Sequence, residues 1–296
     1  MNTLSPRVAI LLPVYNREEL LPSTIQAICV QSFTDYVIVA VDDASSDGSW
    51  SILQAAAKQN PDRWIIERNK KNLGGAANMN RCLAIQRKGA PQAAYIVKVD
   101  SDDLISPELI ESGVRVLDND PDAVLCHFRT LKVGEEGIED LANCDFGEKL
   151  ARYGWSRFAS HRMTPVEALR MFIRFDNFIS SSSGAVIRVR SLESLTWPWY
   201  NEGFRLEDYD LWSRLAQRGA VHYVADVNVS LRRDGMSRLE GTPLCRRRAE
   251  ARRIALKSYF RNLPLLGPAL VLKLLPIVCY KAWLLLTSPS YRSESR

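Results

Sequence analysis

Hydrophobic and polar positions fall in alternating blocks along the first hundred residues. Val8-Ala9-Ile10-Leu11-Leu12-Pro13 is an apolar run closed by proline and the loop Val14-Tyr15-Asn16-Arg17, the pattern of a strand buried on both faces. A helix is expected from about Leu21 to Gln31, a second strand over Tyr36–Val41, and a second helix reaching Gln59 after the polar loop Asp42 to Ser49. Trp64–Glu67 reads as a short third strand, and a third helix runs from about Ala76 to Arg87 after the loop Asn69 to Gly75. Ala93–Val99 is a fourth strand with an acidic end. Continuous apolar strands separated by helices predict a parallel sheet covered on both faces, an α/β architecture whose ligands bind beyond the carboxyl ends of the strands.

That rule gathers three distant loops, Pro13–Asn16, Asp42–Asp47 and Asp100–Asp103, at one edge of the sheet. Tyr15 can offer its ring to a base or pack in the core. Asp43 can accept from a pyrimidine N–H or cap a helix. In Asp100-Ser101-Asp102-Asp103 the first and third residues of the turn point to one face, since strand side chains repeat every two residues. A hard cation held by one or two carboxylates fills its other positions with water and phosphate oxygens, so the cluster suggests a phosphorylated ligand. The competing reading is an acidic cap on the helix opened by Ser106-Pro107-Glu108. The common location of the three loops favours a ligand. Gly74-Gly75, ahead of Ala76-Ala77-Asn78-Met79-Asn80, suits either anion approach to a helix N-terminus or close helix-to-sheet packing, and is not a dinucleotide fingerprint.

The later chain is less periodic. Residues 134–165 carry Gly134, Gly137, Gly147 and Gly154 among charges, which predicts a long excursion over the strand-end loops. Phe178 to Ile187 reads as a serine-rich turn feeding a strand, its serines free to meet ligand hydroxyls or to satisfy backbone groups. Trp197-Pro198-Trp199-Tyr200 could stack on a ligand ring or fill a core. Glu207-Asp208-Tyr209-Asp210 opens a helix whose Leu211, Trp212 and Leu215 have core spacing.

Charge adds a second partner. The formal net charge is +5, yet residues 232–296 hold 14 Lys/Arg against 4 Asp/Glu, so the basicity belongs to the C-terminal part. Its densest run, Arg246 to Arg253, precedes an apolar segment from Leu263 to Leu286 that Lys273, Lys281, Pro264, Pro268 and Pro276 interrupt. A transmembrane span wants about 20 uninterrupted apolar residues, so a helix lying in an anionic membrane surface is expected, with Leu270, Leu274, Leu275, Trp283 and Leu284 in the acyl boundary and the lysines snorkelling. The alternative is a helix packed on the protein's own core. The arginines are not interleaved with an aromatic reading platform, so nucleic acid is not expected as a partner. Six cysteines without metal or disulfide-framework spacing, and no signal-peptide core at the N-terminus, predict a reducing cytoplasmic setting.

In their order, Val-Ala-Ile-Leu-Leu-Pro-Val-Tyr-Asn from Val8, Val-Asp-Asp-Ala-Ser-Ser-Asp-Gly from Val41, Asn-Leu-Gly-Gly from Asn72, Asp-Ser-Asp-Asp from Asp100 and Glu-Asp-Tyr-Asp-Leu-Trp from Glu207 resemble the family 2 glycosyltransferases of the GT-A fold, over residues 7 to about 235. The resemblance implies a Rossmann-like, mostly parallel sheet flanked by helices. It divides the chain into a catalytic domain over 1–240, with a nucleotide-binding half to about 103 and an acceptor-side half from 104, and a helical extension over 241–296. It implies inverting transfer from a nucleotide-sugar donor, with UDP-sugar preferred. Pro13, Tyr15 and Asp43 would line the nucleobase pocket, and Asn16, Gly75 and Asn80 would stand on the donor side. Asp100 and Asp102 would hold ribose, diphosphate and Mg2+ or Mn2+, and Asp208 would be the base. The expected acceptor is a saccharide or lipid-linked hydroxyl in cell-surface polysaccharide or glycolipid assembly, with the enzyme held peripherally at the inner face of the cytoplasmic membrane. Two departures stand out: Met79 precedes Asn80 where relatives have Arg, and Arg232-Arg233 replace a His near the diphosphate. Either arginine is a candidate for phosphate charge.

Overall fold

A computed structural model describes residues 6–134, 137–140, 151, 154–156, 158–179, 181–232 and 243–287. Its centre is a ten-stranded mixed sheet with the order β3-β2-β1-β4-β9-β6-β10-β5; β7 pairs with β6 and β8 with β10. The strands are β1 (Val8–Val14), β2 (Tyr36–Asp42), β3 (Trp64–Arg68), β4 (Tyr95–Lys98), β5 (Leu104–Ile105), β6 (Ala123–Gly134), β7 (Gly137–Asp140), β8 (His161–Met163), β9 (Val186–Arg188) and β10 (Ala220–Arg232). β3, β2, β1 and β4 run parallel, as do β6 and β10, while β9 is antiparallel to both β4 and β6. The helices are α1 (Leu21–Cys29), α2 (Ser49–Gln59), α3 (Gly75–Gly89), α4 (Leu109–Asn119), α5 (Pro165–Phe175), α6 (Val189–Glu193), α7 (Glu207–Leu215), α8 (Leu244–Arg261) and α9 (Leu263–Leu286).

The period of two along β1 sorts the layers. Val8, Ile10, Leu12 and Val14 enter one core with Leu21 and Ile28 of α1, Leu53 of α2 and Leu109 and Leu117 of α4. Ala9 and Leu11 enter the other, with α3, α5 and α7. That second core also takes Ile254 and Tyr259 of α8 and Leu266, Leu274 and Val278 of α9, so the basic and apolar C-terminal helices close one face of the sheet. α5 starts where sequence chemistry asks for it: Thr164 and Glu167 form a reciprocal capping box around Pro165.

β1 pairs with β2 on one side and β4 on the other, so the connections leave it in opposite directions. Between β1 and β4, at the carboxyl ends, lies the switch point where such sheets form a crevice. The predicted strands and helices before residue 120 all appear. The chain after them differs more. β6 and β10, the longest strands, carry mixed polarity and have no simple periodic signature. Part of the expected excursion at 134–165 is strand, β7 and β8, and residues 141–150 lie outside the described ones.

Candidate active site

The loop after β1 crosses the crevice. Arg17 donates from Nε to Asp102 Oδ2 at 3.0 Å, and from Nη1 to the Asn16 carbonyl, also at 3.0 Å. Neither member of this pair has much solvent contact, so it closes the β1 loop onto the acidic turn. Asn16 takes a positive φ of 50° and accepts from the Ser46 backbone, which ties the β1 loop to the β2 loop as well. Pro13 is half-buried at the end of β1, and Tyr15 is 42% exposed, which leaves a ring face open at this edge.

Asp43 is buried, and three N–H groups converge on it. Oδ1 accepts from Asn69 Nδ2 at 2.8 Å and from the Leu73 backbone at 2.9 Å, and Oδ2 accepts from the Gly74 backbone at 2.9 Å. A carboxylate oxygen has two lone pairs, so Oδ2 retains capacity for one more donor. Gly74 sits at φ 85°, a left-handed conformation a side chain resists, and Gly75 follows as the first residue of α3. Gly74 therefore lets the Leu73 and Gly74 N–H groups reach Asp43 at a helix start.

The acidic turn is organised by a residue the strand pattern concealed. Lys98, the last residue of β4, is buried; its Nζ lies 2.9 Å from both Asp100 oxygens and 2.6 Å from Ser182 Oγ. Burial opposes its charge, but Asp100, the Tyr200 phenol and Glu207 hold its pKa above the ordinary lysine value. The clue in the sequence was a lone lysine inside an apolar run, since lysines are almost never fully buried unless paired. Ser182 also bonds Asp100, and Ser183 Oγ accepts from the Asp100 backbone at 3.0 Å, so these serines brace the turn. Ser180, from the same turn, lies outside the described residues.

Asp208 stands at the start of α7, partly exposed, with Oδ1 accepting from the Tyr209 backbone at 2.8 Å. Burial raises its pKa, the Lys98 ammonium opposes the rise, and Asp100 adds to it. Asp208, Glu207 and Asp100 thus share the field of one lysine, which places the base candidate and the acidic turn in one charge cluster. Asp102 and the buried Asp103 are likewise raised, first by burial and next by Asp100.

Other candidates are engaged with the protein itself. Asn80 is buried and clamps Tyr200, donating to its carbonyl at 2.9 Å and accepting from its N–H at 3.0 Å, and it also reaches Glu202. Its amide holds the acceptor-side loop. Trp199 and Tyr200 are core residues, whereas Trp197 is 41% exposed beneath the Arg87 guanidinium. Arg232 spends its donors on the Asp102 and Leu20 carbonyls and the Ser23 and Thr24 hydroxyls, a tie between β10 and the α1 entrance instead of a free phosphate ligand. Arg233 lies outside the described residues.

The all-oxygen, like-charged donor set of Asp100 and Asp102 fits a hard divalent cation whose remaining positions are filled by water and phosphate. Both carboxylates also carry a chain cation, Lys98 on one and Arg17 on the other. Among the described residues, no group of three or more His, Cys, Asp or Glu side chains forms a metal cage. Any metal here would therefore lean on its ligand's phosphates.

The model of glycosyl transferase family 2 matches residues 9–195, which include the β1 loop, Asp43, the glycine pair and the acidic turn. The chain belongs to glycosyl transferase family 2. The family match ends before Asp208, so that carboxylate is tied to the site by its position at the start of α7 and its electrostatic coupling to Lys98 and Asp100. Among family relatives, the putative glycosyltransferase EpsE of Bacillus subtilis is 34% identical over 113 residues, 38% of this chain and 39% of that protein. The aligned stretch is about two fifths of that relative's length. Two solved structures share the fold, which is the GT-A fold the motifs imply. One is the 1–349 fragment of S. aureus TarS in complex with UDP-GlcNAc, at TM-score 0.63 and 16% identity, covering 86% of this chain and 66% of that one. The other is the mannosyltransferase PcManGT from Pyrobaculum calidifontis in complex with GDP-Man and Mn2+, at TM-score 0.60 and 17% identity, covering 98% and 75%.

Proposed function

We propose that this family 2 chain is an inverting glycosyltransferase that moves a sugar from a nucleoside diphosphate donor, a UDP-sugar, to a hydroxyl of a saccharide or lipid-linked acceptor in cell-surface polysaccharide or glycolipid assembly. The observation that carries the reading is the Lys98 ammonium, bonded to Asp100 and close enough to Asp208 to act on its ionisation. Donor-side and acceptor-side carboxylates then flank one reaction centre.

In this reading the nucleobase would use the open Tyr15 ring face and the remaining lone pair of Asp43 Oδ2, and the diphosphate would lie over the acidic turn. Asp100 and Asp102 would hold Mg2+ or Mn2+, which when bound supplies Lewis-acid stabilisation of the leaving diphosphate. Arg17 and Lys98 keep the two carboxylates aimed and limit their mutual repulsion. Asp208 takes the proton of the acceptor hydroxyl as its oxygen bonds to the anomeric carbon from the face opposite the departing oxygen. The electron pair of the broken bond leaves with the diphosphate, and the configuration inverts. A carboxylate with a raised pKa is a stronger base, and the Lys98 ammonium opposes that rise. Trp197 is an exposed aromatic that could receive an acceptor ring.

The test is nucleotide release from a panel of UDP, GDP and dTDP sugars, with and without Mn2+, for wild type, Asp102→Asn and Asp208→Asn. The expected result is metal-stimulated release that both substitutions reduce by at least about 100-fold, the scale of a general base. Donor binding without release in wild type would instead make the chain a nucleotide-sugar-binding subunit.

A further inference from the structure

α9 is apolar, and only part of its surface is used. Leu266, Leu274, Val278, Lys281 and Leu285 recur on one side and are buried against the protein. Lys281, expected to snorkel to lipid, instead makes an ion pair with Asp176 at the end of α5, and Leu274 is in the core. The helix is thereby fastened along its length to the catalytic domain. Gly267 breaks it with φ 71° and ψ 159°, so the continuous part starts at Pro268. Leu263–Leu286 has the length and composition of a span, but the break, Pro276 and a buried charge on one side all oppose crossing a bilayer.

The opposite side of α9 is exposed and apolar. Leu265, Leu272 (67% exposed), Leu275, Tyr280, Trp283 (57%) and Leu286 stand there, and the Tyr280 and Trp283 rings stack at 6.1 Å. Among the residues of this side, Lys273 brings a charge, and it is positive. α8 packs on α9 and carries six Arg and one Lys against a single Glu, with Arg246, Arg248, Lys257 and Arg261 exposed. Phe260 is exposed beside Arg261.

We infer that α8 and α9 form an in-plane docking surface for an anionic bilayer, with the Leu272-Trp283 side of α9 entering the acyl boundary and the α8 cations meeting lipid phosphates. An exposed apolar helix face with aromatics, beside a neighbouring helix of dense positive charge, has the composition of a surface that meets anionic lipid. A second copy of the chain fits less well, because a two-fold contact through this side would bring two sets of α8 arginines together. Docking also reaches the reaction centre. Glu250 of α8 accepts from the Leu206 backbone, immediately before Glu207-Asp208, and Lys257 stands over the Phe204 ring at 4.7 Å. The surface that meets lipid therefore supports the acceptor-side loop, which suits an acceptor held in the membrane. That last step rests on the proposed transfer reaction, whereas the docking itself does not.

The experiment is flotation of the full chain with vesicles of phosphatidylglycerol and phosphatidylcholine, or phosphatidylcholine alone, at low and high salt, with light scattering of the free protein. Wild type should float with the anionic vesicles at least tenfold more than with the neutral ones, and salt should weaken the binding. Leu272→Asp with Trp283→Asp, and separately Arg246→Glu with Arg248→Glu, should each lower flotation at least tenfold with unchanged thermal midpoints. Because these positions are exposed, folding is preserved, and nucleotide release from soluble donor should be retained. Bound wild type should be released by alkaline carbonate. Equal flotation with neutral and anionic vesicles, carbonate resistance, or a dimer that the Leu272→Asp and Trp283→Asp pair dissociates without any vesicle binding would each overturn the inference.

Discussion

Replacing Lys98 by Met removes the cation from the centre of the site while keeping the volume and length of the side chain. At 2.9 Å from Asp100 the pair attracts by about 6 kcal/mol at the effective dielectric that suits protein sites, before desolvation is subtracted. Removing one partner of a buried pair costs about 3 to 5 kcal/mol. The Asp100 side chain is 32% exposed and can recover some hydration, which puts the stability loss near the lower limit, about 3 kcal/mol. Asp208 also loses the charge that opposes the rise of its pKa, so that rise should grow. Urea unfolding at pH 7 should show the destabilisation, and nucleotide release at saturating donor should fall by about 100-fold with its acid limb displaced to higher pH. A variant with the wild-type midpoint, turnover and pH profile would show that the lysine neither holds Asp100 nor tunes Asp208.

The buried His127 is held neutral, its pKa pushed down to about 3 by burial and by His222, so the folded protein refuses a proton that the unfolded chain accepts below about pH 6.5. Stability should therefore fall as pH drops below 6.5, by about 1.4 kcal/mol per unit, and His127→Phe should remove that part of the slope in urea midpoints compared at pH 7 and 5; identical slopes would refute it. Asp120, lowered to about 2 by Arg162 and His222, contributes in a separate window: its stabilisation is present above its unfolded pKa and lost as pH falls towards 2, so Asp120→Asn should flatten only the acid end below about pH 4. Asn80→Ala breaks two buried hydrogen bonds to Tyr200 and should cost about 2 to 3 kcal/mol in thermal or urea unfolding, with acceptor KM rising more than donor KM; the reverse order would place Asn80 on the donor side. Gly184→Ala combines φ 78° with a Cβ 2.6 Å from Val229 Cγ2, and should destabilise by about 2 kcal/mol or more, measured by urea midpoint.

The nucleotide-side half of the fold was legible because its strands are buried on both faces and announce themselves as apolar runs. Loops at their carboxyl ends then followed from a general rule, and so did the meeting of the β1 loop with the β2 loop and the acidic turn. β6 and β10 were not legible, because each passes from core to surface along its length and mixes polarity accordingly. The contacts of Asn80 and Arg232 were not legible, because they are set by residues about 120 and 130 positions away, Tyr200 and Asp102.

By itself the sequence determined the α/β architecture, the family motifs and the concentration of positive charge near the C-terminal end, since each depends on local pattern or composition. Only the tertiary structure decided which charges meet. Lys98 became the hub of the site because β9 and α7 carry Ser182 and Asp208 to the end of β4, and Lys281 became a buried anchor because α5 ends at Asp176 beneath α9. A pairing between distant ionic groups depends on distance and burial, and neither quantity exists until the chain is folded.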